Sequence, residues 1–63
     1  MKNRIKEIRD KKGITQTDLA QLTGLSVGYI CHLERGSRTN PSYNTMVIIS
    51  KALNTDVAVV FEL

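Results

Sequence analysis

Cys31 and His32 are the chain's only cysteine and only histidine, the side chains best suited to metal binding or nucleophilic catalysis. Neighbours on a helix point about 100° apart, so these two cannot ligate one ion or act as a nucleophile and its base. A zinc site within one subunit would need further carboxylates, and none occurs at ligand spacing. The sequence therefore predicts no enzyme, no metal and no cofactor.

A short predicted helix carries this pair. It begins after Ser26, a typical N-cap residue, and Gly36 closes it. Ile30 and Leu33 are three residues apart and are predicted to face the core. Gly28 stands near the start of this helix, where glycine costs stability relative to alanine, so we expect this helix to have a function besides packing.

Two predicted helices precede the helix that carries Cys31 and His32. The first covers residues 3–12, where Ile5 and Ile8 form an apolar face, and it ends at Gly13. The second begins at a capping box in which Thr15 and Asp18 satisfy each other's backbone N–H groups. Gly24 ends the second helix, and a tight turn leads directly into the helix that carries Cys31.

The last helix and the tail supply further apolar residues. Ser42 is the predicted N-cap of a fourth helix that ends at Asn54. Residues 56–63 are rich in β-branched side chains and alternate two sets, Val57, Val59, Phe61 and Leu63 against Ala58, Val60 and Glu62. This pattern favours a strand that pairs with a second copy or with another protein. We expect a dimer interface at five apolar residues of these two segments: Val47, Ile48, Val57, Val59 and Phe61. The predicted fold class is all-α, with four helices and this short C-terminal strand.

The length of 63 residues allows one small domain, and a core of this size favours completion by a second copy. A single cysteine cannot form an intrachain disulfide, no secretory leader is evident, and no apolar run approaches the roughly 20 residues that span a bilayer. We therefore expect a cytoplasmic protein without a membrane segment.

Positive charge is concentrated at the start of the chain, whose formal net charge is +3. This asymmetry favours a polyanionic partner, although a solvated helix face is the alternative interpretation. The basic residues concerned are Lys2, Arg4, Lys6, Arg9, Lys11 and Lys12.

The two helices joined at Gly24 form a helix-turn-helix, in which Ala20 is small enough for close approach and Leu25 fills the angle. The segment ITQTDLAQLTGLSVGYICHLERGSRTNPS resembles the helix-turn-helix family of phage repressors, Cro proteins and bacterial regulators of the xenobiotic-response-element type. The resemblance extends from about Arg4 to Asn54 and implies a compact lambda-repressor-like domain over residues 1–63, with the helix-turn-helix at 15–35.

The resemblance also implies a DNA interface. The helix at 26–35 would enter the major groove and present Val27, Gly28 and His32 to base edges. Phosphate contacts would come from residues at two helix starts and in the loop after the third helix, namely Thr15, Gln16, Ser26, Tyr29, Arg38, Thr39 and Asn40.

Two further positions have structural roles in the family. Arg9 and Glu34 match positions that often form an ion pair between the first and third helices; two solvated surface charges are the alternative. Cys31 matches a small, partly buried position.

Two functional hypotheses follow. The first is a bacterial or phage-encoded, nucleoid-associated repressor that binds a pseudo-palindromic operator as a homodimer, with half-sites about 34 Å apart. The second is an antitoxin-like interaction module whose tail strand, at 56–63, pairs with a partner protein such as a toxin.

Overall fold

The computed structural model describes residues 2–36 and 40–63, which form five helices and, over these residues, no strand. The four helices predicted from capping residues and glycines are confirmed, with ends that differ by one to two residues. The helices are α1 (Ile5–Lys11), α2 (Gln16–Thr23), α3 (Val27–Glu34), α4 (Tyr43–Ala52) and α5 (Val57–Val60).

Local hydrogen bonds begin and end these helices as predicted. The Thr15 hydroxyl accepts from the Asp18 N–H at 3.0 Å, and the Asp18 carboxylate accepts from the Thr15 N–H at 3.0 Å, which completes the capping box of α2. The hydroxyls of Ser26 and Ser42 cap α3 and α4 by accepting from the N–H groups of Tyr29 and Thr45, without the reciprocal bond of a capping box. Gly24, at φ +77°, ends α2 in the left-handed conformation that a side chain rarely adopts.

The core lies where all five helices meet. It fixes the helix-turn-helix because α2 packs on both α3 and α4, and α4 packs on α5. Burial of these side chains is the main stabilising contribution available to so small a domain. The buried apolar residues are Ile5, Ile8, Leu19, Ile30, Leu33, Ile49, Leu53, Val60 and Phe61.

The predicted strand in the tail is wrong, because Val57–Val60 form the single-turn helix α5. The Val60 N–H donates to the Asp56 carbonyl at 3.0 Å, and the Phe61 N–H donates to the Val57 carbonyl at 2.9 Å. Val60 and Phe61 are 0% and 2% exposed, and a strand places two successive side chains on opposite faces. Packing of both residues into the core thus overrides the β propensity of the valines.

Candidate nucleic-acid interface

The outer face of α3 is formed by Val27, Gly28 and His32, together with Arg35 directly after the helix, and all four residues are exposed. Their spacing places them on one side of the helix, opposite the buried Ile30 and Leu33. The three residues predicted to face bases therefore share one exposed surface. Sequence analysis did not assign Arg35 to this surface, although its position three residues after His32 is a usable signal.

Gly28 is not required by the packing of the chain. A methyl group added at its Cα would have no heavy atom within 4 Å, and its backbone is helical. Alanine would therefore fit in the free protein and would favour the helix.

A polar network connects three helices at the carboxyl end of α3. Arg9 Nε donates to Glu34 Oε2 at 2.8 Å, and Arg9 Nη2 donates to Glu34 Oε1 at 3.2 Å, which forms the expected pair between α1 and α3. Gln16 Nε2 donates to Glu34 Oε1 at 3.0 Å from the start of α2. The hydrogen bond with Glu34 raises the pKa of Arg9 above its ordinary value, so the guanidinium stays charged although the residue is only 7% exposed.

The start of α2 borders a shallow groove whose walls include Thr15, Gln16, Thr17 and Val27. The first-turn N–H groups of a helix lack acceptors within the helix, and its dipole favours an anion there. The Asp18 carboxylate lies in the same turn, and the backbone hydrogen bond from Thr15 lowers its pKa, followed by the bond with the Thr15 side chain. This end of α2 therefore combines anion-binding donors with one fixed negative charge.

The other predicted phosphate contacts have different locations. Ser26 is exposed and Tyr29 half-buried at the start of α3, and Asn40 is exposed ahead of α4. Arg38 and Thr39 lie outside the described residues. Cys31 is half-buried beside Lys6 and Arg35, in agreement with the partly buried position expected for it.

The helix-turn-helix family matches this chain over residues 5–60. The chain belongs to the helix-turn-helix family. The expected resemblance is thereby confirmed, and so is the all-helical fold.

Two relatives that match this chain are a transcriptional regulator and a repressor. The chain is similar to the transcriptional regulator SinR of Bacillus subtilis, with 35% identity over 54 residues, which covers 86% of this chain and 49% of SinR. It is also similar to the immunity repressor protein of Bacillus phage phi105, with 39% identity over 57 residues, or 90% of this chain and 39% of that protein. The chain thus spans half or less of the length of these two relatives.

A solved structure supports the same fold. The restriction-modification controller protein C.AhdI from Aeromonas hydrophila superposes with a TM-score of 0.84 at 36% identity, covering 92% of this chain and 86% of that one. Nearly all of this chain therefore has a structural counterpart in that controller protein.

A second exposed surface lies between α4 and α5. Its groove is bordered by Tyr43, Val47 and Val57, with Ser50 at its base. The Ser50 hydroxyl is buried and has no hydrogen-bond partner among the residues that the structure describes. Val59 is 41% exposed, whereas Phe61, which we expected at an interface, is part of the chain's own core.

Within residues 2–36 and 40–63, no three His, Cys, Asp or Glu side chains come together as potential metal ligands. Over the same ranges, no helix is both long enough and apolar enough to cross a bilayer.

Proposed function

We propose that this chain is a transcriptional repressor that binds a pseudo-palindromic operator as a homodimer, with α3 in the major groove. The observation that carries the proposal is the two-sided character of α3. Its outer face is exposed at Val27, Gly28 and His32, while Ile30 and Leu33 fix its inner face in the core. A helix held in this way can enter the major groove without rearrangement of the domain.

Each residue of the outer face has a distinct role in the proposed complex. The Val27 methyl groups contact a thymine methyl, and the His32 imidazole hydrogen-bonds a purine edge. Gly28 has no side chain, so the helix backbone approaches the bases closely at that point. This role supplies a reason for glycine at a position where the free protein has room for a methyl group.

Phosphate contacts flank the base-reading residues. Thr15 and Gln16 approach the DNA backbone at the start of α2, where the N–H groups of Gln16 and Thr17 have no acceptor within the helix and the helix dipole favours phosphate. Arg35 adds a cation beside α3, and the net charge of +3 promotes association with DNA. The remaining proposed phosphate contacts are Ser26, Tyr29, Arg38, Thr39 and Asn40.

The second copy docks on the surface between α4 and α5, at Val47, Ile48, Val57 and Val59. Val47 and Val57 border the groove and Val59 is exposed on α5, which supports this choice, since burial of apolar surface stabilises a two-fold interface. A polar group of the partner can also hydrogen-bond the buried Ser50 hydroxyl. Two α3 helices about 34 Å apart then occupy successive major grooves, and the dimer represses by covering a promoter.

The alternative function, an antitoxin-like module with a toxin as its partner, depended on strand addition by the tail. Residues 57–60 are helical and Val60 and Phe61 are buried, so this chain offers no free strand there. The observation that favoured this alternative is therefore lost.

Selection from a pool of random DNA duplexes tests the proposal. We expect enrichment of an inverted repeat, and an affinity that falls steeply as the salt concentration rises. Recovery of no common sequence, together with an affinity that does not depend on salt, would contradict the proposal.

A pair of charge variants sharpens this test. Arg35→Gln removes one positive charge at the outer face of α3, whereas Lys11→Gln removes one from α1, outside both proposed surfaces. Arg35→Gln should weaken binding and reduce the slope of log affinity against log salt by about one, while Lys11→Gln should change neither. Equal effects of the two variants would show that only overall charge matters.

A further inference from the structure

Asn3 joins the start of α1 to the end of α3 through one side-chain amide. Its Oδ1 accepts from the N–H of Ile5, the first residue of α1, at 3.1 Å. Its Nδ2 donates to the Leu33 carbonyl at 2.7 Å, across 30 positions of the sequence. We infer that Asn3 is a positioning residue that sets the orientation of α3 for sequence-specific DNA binding, an inference that rests on the proposed function.

The geometry of the amide makes this contact directional. The carboxamide is planar, with one acceptor and two donors, so its two hydrogen bonds fix both the distance and the angle between the two helix ends. Aspartate at this position would accept from the Ile5 N–H and could not donate to the Leu33 carbonyl. The bond to the Ile5 N–H and the bond to the Leu33 carbonyl can therefore be separated by substitution.

The bond from Asn3 to the Leu33 carbonyl orients α3, and the carbonyl does not depend on it for a hydrogen-bond partner. The Leu33 carbonyl also accepts from the Gly36 N–H at 3.1 Å, so it keeps one partner when Asn3 is replaced. The adjacent Glu34 is held by Arg9 and Gln16. The last turn of α3 is thus held by polar contacts from three directions, whereas its first turn, with Val27 and Gly28, is exposed.

A small rotation of α3 about its carboxyl end displaces its first turn by a large distance. The eight residues of α3 extend about 12 Å, so a tilt of about 10° moves the first turn by about 2 Å. Direct contacts to bases tolerate only about 0.5 Å of variation in hydrogen-bond length. Loss of the Asn3 donor should therefore lower the ratio of affinities for operator and random DNA. The free energy of unfolding should change little.

The test compares Asn3→Asp with Lys2→Gln, which changes the charge by the same amount at the neighbouring exposed residue. The measured quantity is the ratio of affinities for the selected operator and for a random duplex, in which an effect of overall charge largely cancels. Asn3→Asp should lower this ratio by about fivefold or more, the low end of what one mismatched base pair costs. Lys2→Gln should leave the ratio unchanged.

Asn3→Ser provides a second variant, because its hydroxyl can accept from the Ile5 N–H and is too short to reach Leu33 as well. It should lower the affinity ratio in the same direction, with an unfolding midpoint close to that of the wild type. Unchanged ratios in both variants, with a wild type that prefers its operator, would overturn the role of Asn3 alone. A wild type without operator preference would overturn the proposed function and this inference together.

Discussion

Arg9 and Glu34 form a two-point ion pair across the contact between α1 and α3, with their side chains only 9% and 5% exposed. The pair lies directly behind the last turn of the helix proposed to enter DNA. Arg9 Nη1 also donates to the Ile14 carbonyl at 2.8 Å, so the same guanidinium holds the segment that leads into α2. One side chain of α1 thereby holds both α3 and the start of α2.

Removal of one partner of this pair should destabilise the domain strongly. Glu34→Ala leaves the buried Arg9 charge with only the Ile14 carbonyl and the more exposed Asp10 carboxylate as partners. We expect a loss of about 3 kcal/mol in the free energy of unfolding, measured in urea, which is the low end for a broken buried pair. The double substitution Arg9→Met with Glu34→Leu should restore most of this loss, because two apolar side chains need no partner.

Glu7 provides the matched control for a lost carboxylate. It pairs with Arg4 at the surface, where ion pairs contribute little, so Glu7→Gln should leave the urea midpoint almost unchanged. A Glu34→Ala variant as stable as the wild type would show that the buried pair does not hold the fold.

Gly28→Ala should change stability and DNA affinity in opposite directions. The free protein has room for the methyl group, so higher helix propensity should raise the free energy of unfolding by about 0.5–1 kcal/mol. Operator affinity should fall, because the added methyl group separates the helix backbone from the bases. Thermal unfolding and titration with the selected operator measure the two effects, and an unchanged affinity would remove Gly28 from the interface.

His32→Ala should alter base preference at one position of each half-site. His32 is exposed on the outer face of α3, whereas the adjacent Cys31 is half-buried beside Lys6. Cys31→Ser is therefore the matched control and should leave preference and affinity nearly intact. Competition among operators with single base changes measures the preference, and an identical profile for His32→Ala and wild type would refute this assignment of faces.

Asp18 should make stability depend on pH in the acid range. Hydrogen bonds from Thr15 lower the pKa of this carboxyl in the folded state below its ordinary value of 3.8. The carboxylate thus stabilises the fold above the unfolded pKa, and this contribution is lost as the pH falls through the folded pKa. The unfolding midpoint should drop over that interval in the wild type, and less in Asp18→Asn.

A control is needed because the pKa of Glu7 is also lowered, by its hydrogen bond with Arg4. Glu7→Gln in the Asp18→Asn background separates the two carboxyls. If the pH profile of Asp18→Asn coincides with that of the wild type, the capping box does not contribute to it.

Val59→Glu should weaken the dimer. Val59 is 41% exposed in the monomer, so the substitution is tolerated by the fold and places a charge in the proposed interface. Leu22, 62% exposed on α2 and outside that surface, offers the control Leu22→Glu. Sedimentation velocity should show dissociation only for Val59→Glu. Equal association of both variants would place the dimer contact elsewhere.

Local signals in the sequence were sufficient to predict four helices. The capping box at Thr15 and Asp18, the serine at position 42 and the glycine at position 24 each act within a few residues of their partners. The helical form of Val57–Val60 could not be predicted in this way, because it depends on burial of Val60 and Phe61 against distant parts of the chain.

The candidate site, too, could be predicted only in part. Resemblance to the family located the exposed positions Val27, Gly28 and His32 and the pair of Arg9 with Glu34. The bond from Asn3 to the Leu33 carbonyl joins residues 30 positions apart, and no local sequence pattern predicts it. Contacts of this kind depend on the packing angle between helices, which the sequence of either helix alone does not specify.

The central claim is that α3 reads bases in the major groove, and methylation interference on the selected operator tests it most directly. A methyl group on guanine N7 lies in the major groove, and one on adenine N3 lies in the minor groove. We expect N7 methylation to block binding at two clusters of guanines one helical turn apart, with adenine N3 methylation largely tolerated within them. Interference confined to adenine N3, or spread evenly along the duplex, would contradict the claim.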